Sequence, residues 1–435
     1  MIRWAILVSI LAARADAGDR VYAAEQFSNT VSVTDPATNK LLGVIRLGDP
    51  QPASFSPLYR GQVLTHGLGA SPDHKQLAVV SIGSNAVTFI ATATNTVLHT
   101  TYVGRSPHEA TYAPNGKEVW VTVRGENYIS VIDTTSFAEI ARIQVPNGPG
   151  MVAFLPDGKA FVCSSFTPEM VVIENRTIVG RVKQASAFCP NLAITPDGAQ
   201  VWLTLKDVGK TMVVSAKAPY DVVKTLDTGP ITNHVNFAGD SAYVTVGGES
   251  AVKVVSRKDY VVKATIPIGK MPHGVWPAGD GKRVYVGLEN DDQMVAIDTA
   301  TNTVIATTPI GQGPQAIAYV SNASASSANL EPLGLAGNAT HLVLERASDH
   351  QEQSSVVLFD QGLTQVLQAS VTGLEAGKDY VIGVSDGKAI EPLAKFKANP
   401  AGAAIVSATG QIQQSLRGRH LVIAPVSGAA IQISR

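Results

Sequence analysis

Nine histidines occur in the chain, and four of them, His66, His108, His234 and His273, stand at one position of a recurring pattern. Counted back from a Pro-Asp-Gly-like turn, His66, His108 and His273 fall at the same distance, and His234 joins them once a shortened turn is allowed for. The same column holds Gln315, Gly150 and Pro190 in the other recurrences. Neutral imidazoles brought to one axis are suitable ligands for copper, zinc, nickel or iron, provided ring nitrogens come within about 2.0–2.1 Å of an ion such as zinc. A histidine here can equally hydrogen-bond to neighbouring backbone and pack as part of a wall, and duplication copies a structural residue as readily as a ligand. Glu109, directly after His108, is the carboxylate adjacent to the column and the candidate general base.

A second column holds Gln26, Arg124, Lys206 and Glu289, with Ile82, Phe166 and Gly247 elsewhere. Arg124 and Lys206 suit a carboxylate or phosphate and Glu289 a cation, so with Gln315 these are candidate ligand-binding residues. A solvated loop face has the same mixture. No CxxC pair, CxxCH haem attachment, HExxH or Walker loop is present.

The elements that must position these side chains are read from the turns SPDHK, APNGK, LPDGK, TPDGA, AGDS and AGDGK, at Asp73, Asn115, Asp157, Asp197, Asp240 and Asp280. They recur about every 40 residues, the spacing of four-stranded propeller blades. Each turn separates two alternating stretches, such as EATYA and EVWVTV around Asn115, and a third and fourth stretch follow, as in YISVID and EIARIQV. Period-two alternation broken by Pro, Gly, Asp and Asn predicts antiparallel hairpins. A further turn recurs as Asp35-Pro-Ala-Thr-Asn39, Thr92-Ala-Thr-Asn95, Asp133-Thr-Thr-Ser136 and Asp298-Thr-Ala-Thr-Asn302.

With strands labelled A to D from the channel outward, the N-terminal part supplies B, C and D strands first (RVYAAEQ, TVSVTDP, KLLGVIRL), and the missing A strand comes last, as PQAIAYV. One blade is therefore assembled from both ends of the repeat region, for a total of seven, and closure leaves no long free edge. In ring order His234, His273, Gln315, His66 and His108 form a continuous arc at the channel mouth.

These segments resemble YVTN-type repeats: VYAAEQFSNTVSVTDPATNKLLGVIRLG, VWVTVRGENYISVIDTTSFAEIARIQV and VYVGLENDDQMVAIDTATNTVIATTPIG carry the likeness, over about residues 20–320. The resemblance implies a seven-bladed β-propeller of the surface-layer-like, YncE-like exported kind. Related propellers include lactonases, a streptogramin lyase, amine dehydrogenase subunits and the copper-binding propeller of nitrous oxide reductase, and fold alone does not choose among them.

The N-terminus carries Arg3, an apolar stretch from Trp4 to Ala13 and the A-x-A pattern Ala15-Asp-Ala17, so residues 1–17 are expected to be a signal peptide and the protein periplasmic or extracellular. Propeller (18–320), linker (321–329, SNASASSAN) and C-terminal domain (330–435) follow. The last has short alternating runs and a VTGLEAGKDYVI segment whose Leu374 and Tyr380 resemble a tyrosine corner, which predicts a small β-sandwich and an all-β protein throughout. Cys163 and Cys189 are a candidate disulfide, permitted by export, and two buried thiols fit as well. The insertion between Asp49 and Thr65, rich in proline and aromatics, is expected either as a lid or as an ordered surface crossing.

The 435 residues carry a net charge of -1, and charged residues make up only 16%, which argues against a nucleic-acid partner. Charge is dispersed, and beyond the N-terminus no apolar run approaches the roughly 20 residues that span a bilayer, so no membrane insertion is expected. The expectation is an exported binding protein for a metal ion (copper or zinc) or small polar ligand. The alternatives are a metal-assisted lactonase or lyase and a surface-layer-like scaffold for a protein partner.

Overall fold

The computed structural model describes residues 18–48, 63–323, 326–334, 339–360 and 364–435. The expected signal peptide and nearly all of the insertion after Asp49 lie outside them. Among the described residues no helix is long and apolar enough to cross a membrane.

Alternating six-residue runs form strands whose two faces are both covered. In Glu118–Val123, every residue after the first is buried, because each blade is sandwiched between two others and the period-two pattern fills both interfaces. Only outermost strands alternate with solvent, as Thr177–Lys183 does. The core therefore lies between blades, as where Tyr22, Val31 and Val33 meet Leu77, Val79 and Ile90.

Seven four-stranded antiparallel sheets result. Blades 1 to 6 begin with the inner strands Thr65–Ala70, Pro107–Tyr112, Pro149–Phe154, Leu192–Ile194, Thr232–Ala238 and Pro272–Pro277. In blade 7 the last strand, Pro314–Val320, pairs with the first, Arg20–Glu25, setting Val21 against Tyr319. The aspartates of the Pro-Asp-Gly-like turns cap their own backbone. Asp157 and Asp280 accept from the amides of Lys159 (3.0 Å) and Lys282 (2.9 Å), and Gly158 and Gly281 take the positive φ that these turns require (91° and 68°).

The C-terminal domain is one eight-stranded antiparallel sheet in the order Ile390–Lys397, Asp379–Ser385, His420–Pro425, Gln432–Ser434, Thr340–Arg346, Glu352–Asp360, Gln365–Val371 and Ala404–Gly410. Its two end strands approach each other, so the expected pair of layers is a single sheet curled almost closed around Leu344, Leu358, Leu367, Tyr380 and Ile382. The Glu375 amide donates to Tyr380 Oη at 3.0 Å, the bond of a tyrosine corner.

In the segment joining the two parts, Asn329 and Glu331 are tied to the rim. Val44 and Glu331 exchange backbone hydrogen bonds of 2.8 and 2.9 Å, Arg46 pairs with Glu331 at 2.9 Å, and Asn329 donates to the Thr94 carbonyl at 2.9 Å. This strap leads from the turn face of blade 7 along its outer edge, and the C-terminal domain docks on the opposite face, over blades 4 to 7. There Phe27 stacks on Phe359 with centroids 3.9 Å apart, Lys270 pairs with Glu352 at 2.6 Å, and Asn290 donates to Ser355 (2.8 Å) and Ser370 (3.1 Å).

Candidate functional site

Each column histidine starts an inner strand and sits where these strands converge, and His66, His108, His234 and His273 keep only 6%, 2%, 6% and 4% of their surface exposed. Ring centroids are 4.5 Å apart for His66 and His108, 4.6 Å for His234 and His273, and 6.2 Å for His66 and His273, on either side of the Gln315 blade. The arc expected from the repeat register is thus one packed layer, buried rather than open at a mouth.

The four rings are held differently. His108 Nδ1 bonds to the Gly150 carbonyl and His273 Nδ1 to the Gln315 carbonyl, each at 2.7 Å. Both acceptors belong to the next blade's position in the same column, so these rings bridge blades, with Nδ1 the protonated nitrogen and the Nε2 lone pair free. His66 Nδ1 and His234 Nε2 are buried without a hydrogen-bond partner. Glu109 leaves its sequence neighbour and turns across to His66, with Oε1 4.0 Å from His66 Nδ1 and no hydrogen-bond partner for that oxygen. One ligand atom from each of His66, His108 and Glu109 lies within 4.8 Å of the others. Buried polar atoms normally find partners, so these orphans mark a place shaped for something further.

Burial sets the protonation states. It drives His66, His108 and His273 well below 6.5, helped by Arg124 for His66 and His108 and by His234 and Lys206 for His273. His234 falls to about 3 through burial and the nearby Lys206 charge. Burial raises Glu109 to about 8 against the opposing effects of the Leu68 backbone and Arg124. At neutral pH the layer is four neutral imidazoles beside a carboxylic acid.

Behind it lies the second column. Burial lowers Arg124, and it brings Lys206 to about 8 against the opposing pull of Glu289. Arg124 stacks over Phe166 and Phe188, 5.9 and 5.7 Å from their centroids. Among the described residues neither cation has a carboxylate within salt-bridge distance. Glu289 is buried, which raises its pKa, and it receives a 2.6 Å bond from Gln368 of the C-terminal domain. Gln315 donates to the Gly313 carbonyl at 3.3 Å, and Gln26 lies near by in blade 7 with its amide on that carbonyl at 3.0 Å.

Sequence reasoning missed three contributors. Thr122, Thr204 and Thr245 share a position on the second strands, and their hydroxyls donate to the next blade's inner strand, at Gly150 (3.0 Å), Asn233 (2.6 Å) and His273 (2.8 Å). Thr122 and Thr245 also accept from the amides of Glu109 (3.1 Å) and His234 (2.8 Å). The recurring V-T-V and L-T-L triplets were the available signal. Gly67 lets the first two inner strands meet, since a Cβ there would stand 2.3 Å from the His108 carbonyl oxygen and 2.8 Å from Glu109. Gln368 left no repeat signal.

A cavity of about 370 Å³ enters the channel from the face of the Pro-Asp-Gly turns, opposite the docked domain, and is bounded by Glu109 and His234. A larger concavity of about 700 Å³ on the C-terminal domain has Lys388, Lys395 and His420 as its titratable lining, and His420 is engaged with the Ser434 carbonyl at 2.9 Å. Cys163 and Cys189 form a disulfide with Cα atoms 6.0 Å apart, joining blade 3 to the start of blade 4.

Comparison with known proteins bears on the fold. The model of the YncE-like β-propeller family matches residues 65–328. A seven-bladed β-propeller protein of Mycobacterium tuberculosis is 28% identical over 262 residues, 56% of this chain and 62% of that one, so the match spans less than two thirds of that relative. Among solved structures, hydrazine synthase of Kuenenia stuttgartiensis superposes with a TM-score of 0.54 at 19% identity, over 62% of this chain and 92% of that one. The periplasmic gluconolactonase of Pseudomonas aeruginosa gives 0.56 at 16%, over 69% and 99%. A functionally unknown protein of Desulfotomaculum acetoxidans gives 0.57 at 14%, over 69% and 98%. At such identities the likeness is one of fold. With seven blades closed by the terminal strands and a family match over more than half of its length, the chain belongs to the YncE-like β-propeller family.

Proposed function

We propose that this propeller is an extracytoplasmic metal-binding protein that holds zinc or copper through His66, His108 and Glu109. The observation that carries the reading is the convergence of these three buried groups, ligand atoms within 4.8 Å of one another, with His66 Nδ1 and Glu109 Oε1 unpartnered. Two imidazoles and a carboxylate are a donor set that zinc accepts, with a further position left open. The bond from His108 Nδ1 to the Gly150 carbonyl supplies the outer support that orients a ligating ring. Binding would displace the Glu109 proton and tie metal uptake to pH. Ala15-Asp-Ala17 and the disulfide support a location outside the cytoplasm.

The test is elemental mass spectrometry of untagged protein from an exporting host, beside a His66→Ala/His108→Ala variant. Near-stoichiometric zinc or copper, lost in the variant while its circular dichroism is unchanged, is expected. A metal-free wild type that also takes up neither ion in calorimetry would sink the reading.

A second reading, metal-assisted hydrolysis of a lactone-type substrate, is favoured by the cavity bounded by Glu109 and His234. The ion would polarise the carbonyl and acidify its own bound water, and neutral His234, whose Nε2 has no partner, would hydrogen-bond that water and orient it. Turnover of a lactone panel by metal-loaded wild type, lost in His234→Gln with metal retained, is expected. No turnover on any member would leave binding alone.

A further inference from the structure

The C-terminal domain covers the histidine side of the channel over blades 4 to 7, through Phe359 on Phe27, Gln368 on Glu289 and His341 Nε2 on Asp292 at 3.2 Å. The opposite mouth is open, and the cavity behind it is lined from Pro114 at the rim to Glu109 and His234. Its walls include Leu68, Met151, Phe154, Val275, Trp276 and Ile317. Its volume of about 370 Å³ lies within the range of small-molecule sites, which are mostly apolar with a few placed polar groups.

Thr111, Asn191 and Asn236 also line the cavity, but each is engaged with backbone, at Val152 (2.8 Å), Val235 (3.0 Å) and Val275 (3.3 Å), and the unpartnered polar atoms sit at one end. Glu109 Oε1 and His234 Nε2 are buried and unpartnered, on residues 4% and 6% exposed. Behind them stand Arg124 and Lys206, with no carboxylate in salt-bridge contact among the described residues. Mostly apolar walls whose polar side chains are already engaged, an unsatisfied polar floor and cations beyond it describe a ligand with a definite polarity.

We propose that this cavity binds a small carboxylate with an apolar body, which enters through the turn-side mouth and seats its head at Glu109 and His234, in the field of Arg124 and Lys206. The inference rests on the reading of His66, His108 and Glu109 as a metal centre, in that the head would take the ion's open position. The walls select for the body independently of the ion.

The experiment is isothermal calorimetry of the full-length protein, metal-free and zinc-loaded, with butanoate, hexanoate and octanoate, and with 1-octanol as the headless control. Trp276 fluorescence reports on location. Affinity should rise about fourfold per methylene, the gain for burying one such group, and octanoate should bind at least about tenfold more tightly than octanol. That preference should shrink in Arg124→Gln/Lys206→Gln, and the fluorescence change should vanish in Trp276→Phe while calorimetric binding persists. If zinc binds but affinity does not depend on chain length in either form, the cavity proposal is overturned and the metal reading stands. Chain-length-dependent binding of octanoate to protein that takes up no metal would sink the metal reading and uphold the cavity. Binding that leaves Trp276 unchanged puts the ligand elsewhere and overturns the proposal.

Discussion

Replacing His234 by Gln isolates the cost of keeping one imidazole neutral inside the protein. His234 is 6% exposed, and burial with Lys206 near by takes it from 6.5 to about 3. Between those values the unfolded chain binds a proton that the folded protein refuses, so stability is fully present above the unfolded pKa and falls as pH drops toward the folded one. Each pH unit in that window is worth about 1.4 kcal/mol. At about pH 5 the deficit is therefore roughly 2 kcal/mol against about pH 7.5. A glutamine side chain at this position would be polar and proton-indifferent, so the variant escapes this term while sharing all others. Urea unfolding of both proteins at the two pH values, with chelator present so that metal binding adds nothing, gives the stability difference between variant and wild type twice. The difference at about pH 5 should favour the variant by roughly 2 kcal/mol relative to the difference at about pH 7.5. An equal difference at both pH values would refute the claim that His234 is neutral in the folded protein.

Gly67→Ala drives a Cβ to 2.3 Å from the His108 carbonyl oxygen. It should cost about 1–3 kcal/mol and weaken zinc uptake, read together by thermal unfolding and calorimetry. Tyr380→Phe removes the acceptor of the Glu375 amide and should lower the C-terminal domain's stability by about 1–1.5 kcal/mol, seen by hydrogen exchange along Asp379–Ser385. The ion pair of His341 with Asp292 raises His341 above 6.5. Its docking contribution is full below that value and lost as pH rises through the raised folded value, so proteolysis between propeller and cap should quicken there, and His341→Asn should flatten the profile.

The parts of the molecule written as a period were legible in the sequence. Turn aspartates, seven blades, closure by PQAIAYV and the histidine column all repeat, and a ring converts equal sequence offsets into one spatial layer. Contacts made once were not legible. Gln368 on Glu289, Phe359 on Phe27 and Asn290 between Ser355 and Ser370 join residues with no shared register, so no pattern announced that the C-terminal domain would roof the channel. The direction of Glu109 was hidden for a subtler reason: the pairing of its strand shifts register between Pro107 and Ala110, so the alternation of a regular strand does not foretell that Glu109 and His108 both reach His66. The anchoring of the strap was not legible either, because it too rests on contacts made once, Asn329 on the Thr94 carbonyl and Glu331 on the backbone of Val44.

Pairing Arg20–Glu25 with Pro314–Val320 has a consequence for assembly. The first three strands emerge from synthesis with the inner edge of their sheet bare, and their partner comes only after six further blades. Contacts so distant along the chain are slow to form, because the entropy of closing the intervening loop is lost before the pairing rewards it. Until then Arg20–Glu25 offers unpaired backbone to any other strand it meets. Anything that shields this edge in the interval favours the native ring, and shortening the chain before Val320 would leave most of a propeller's sequence without a closed fold.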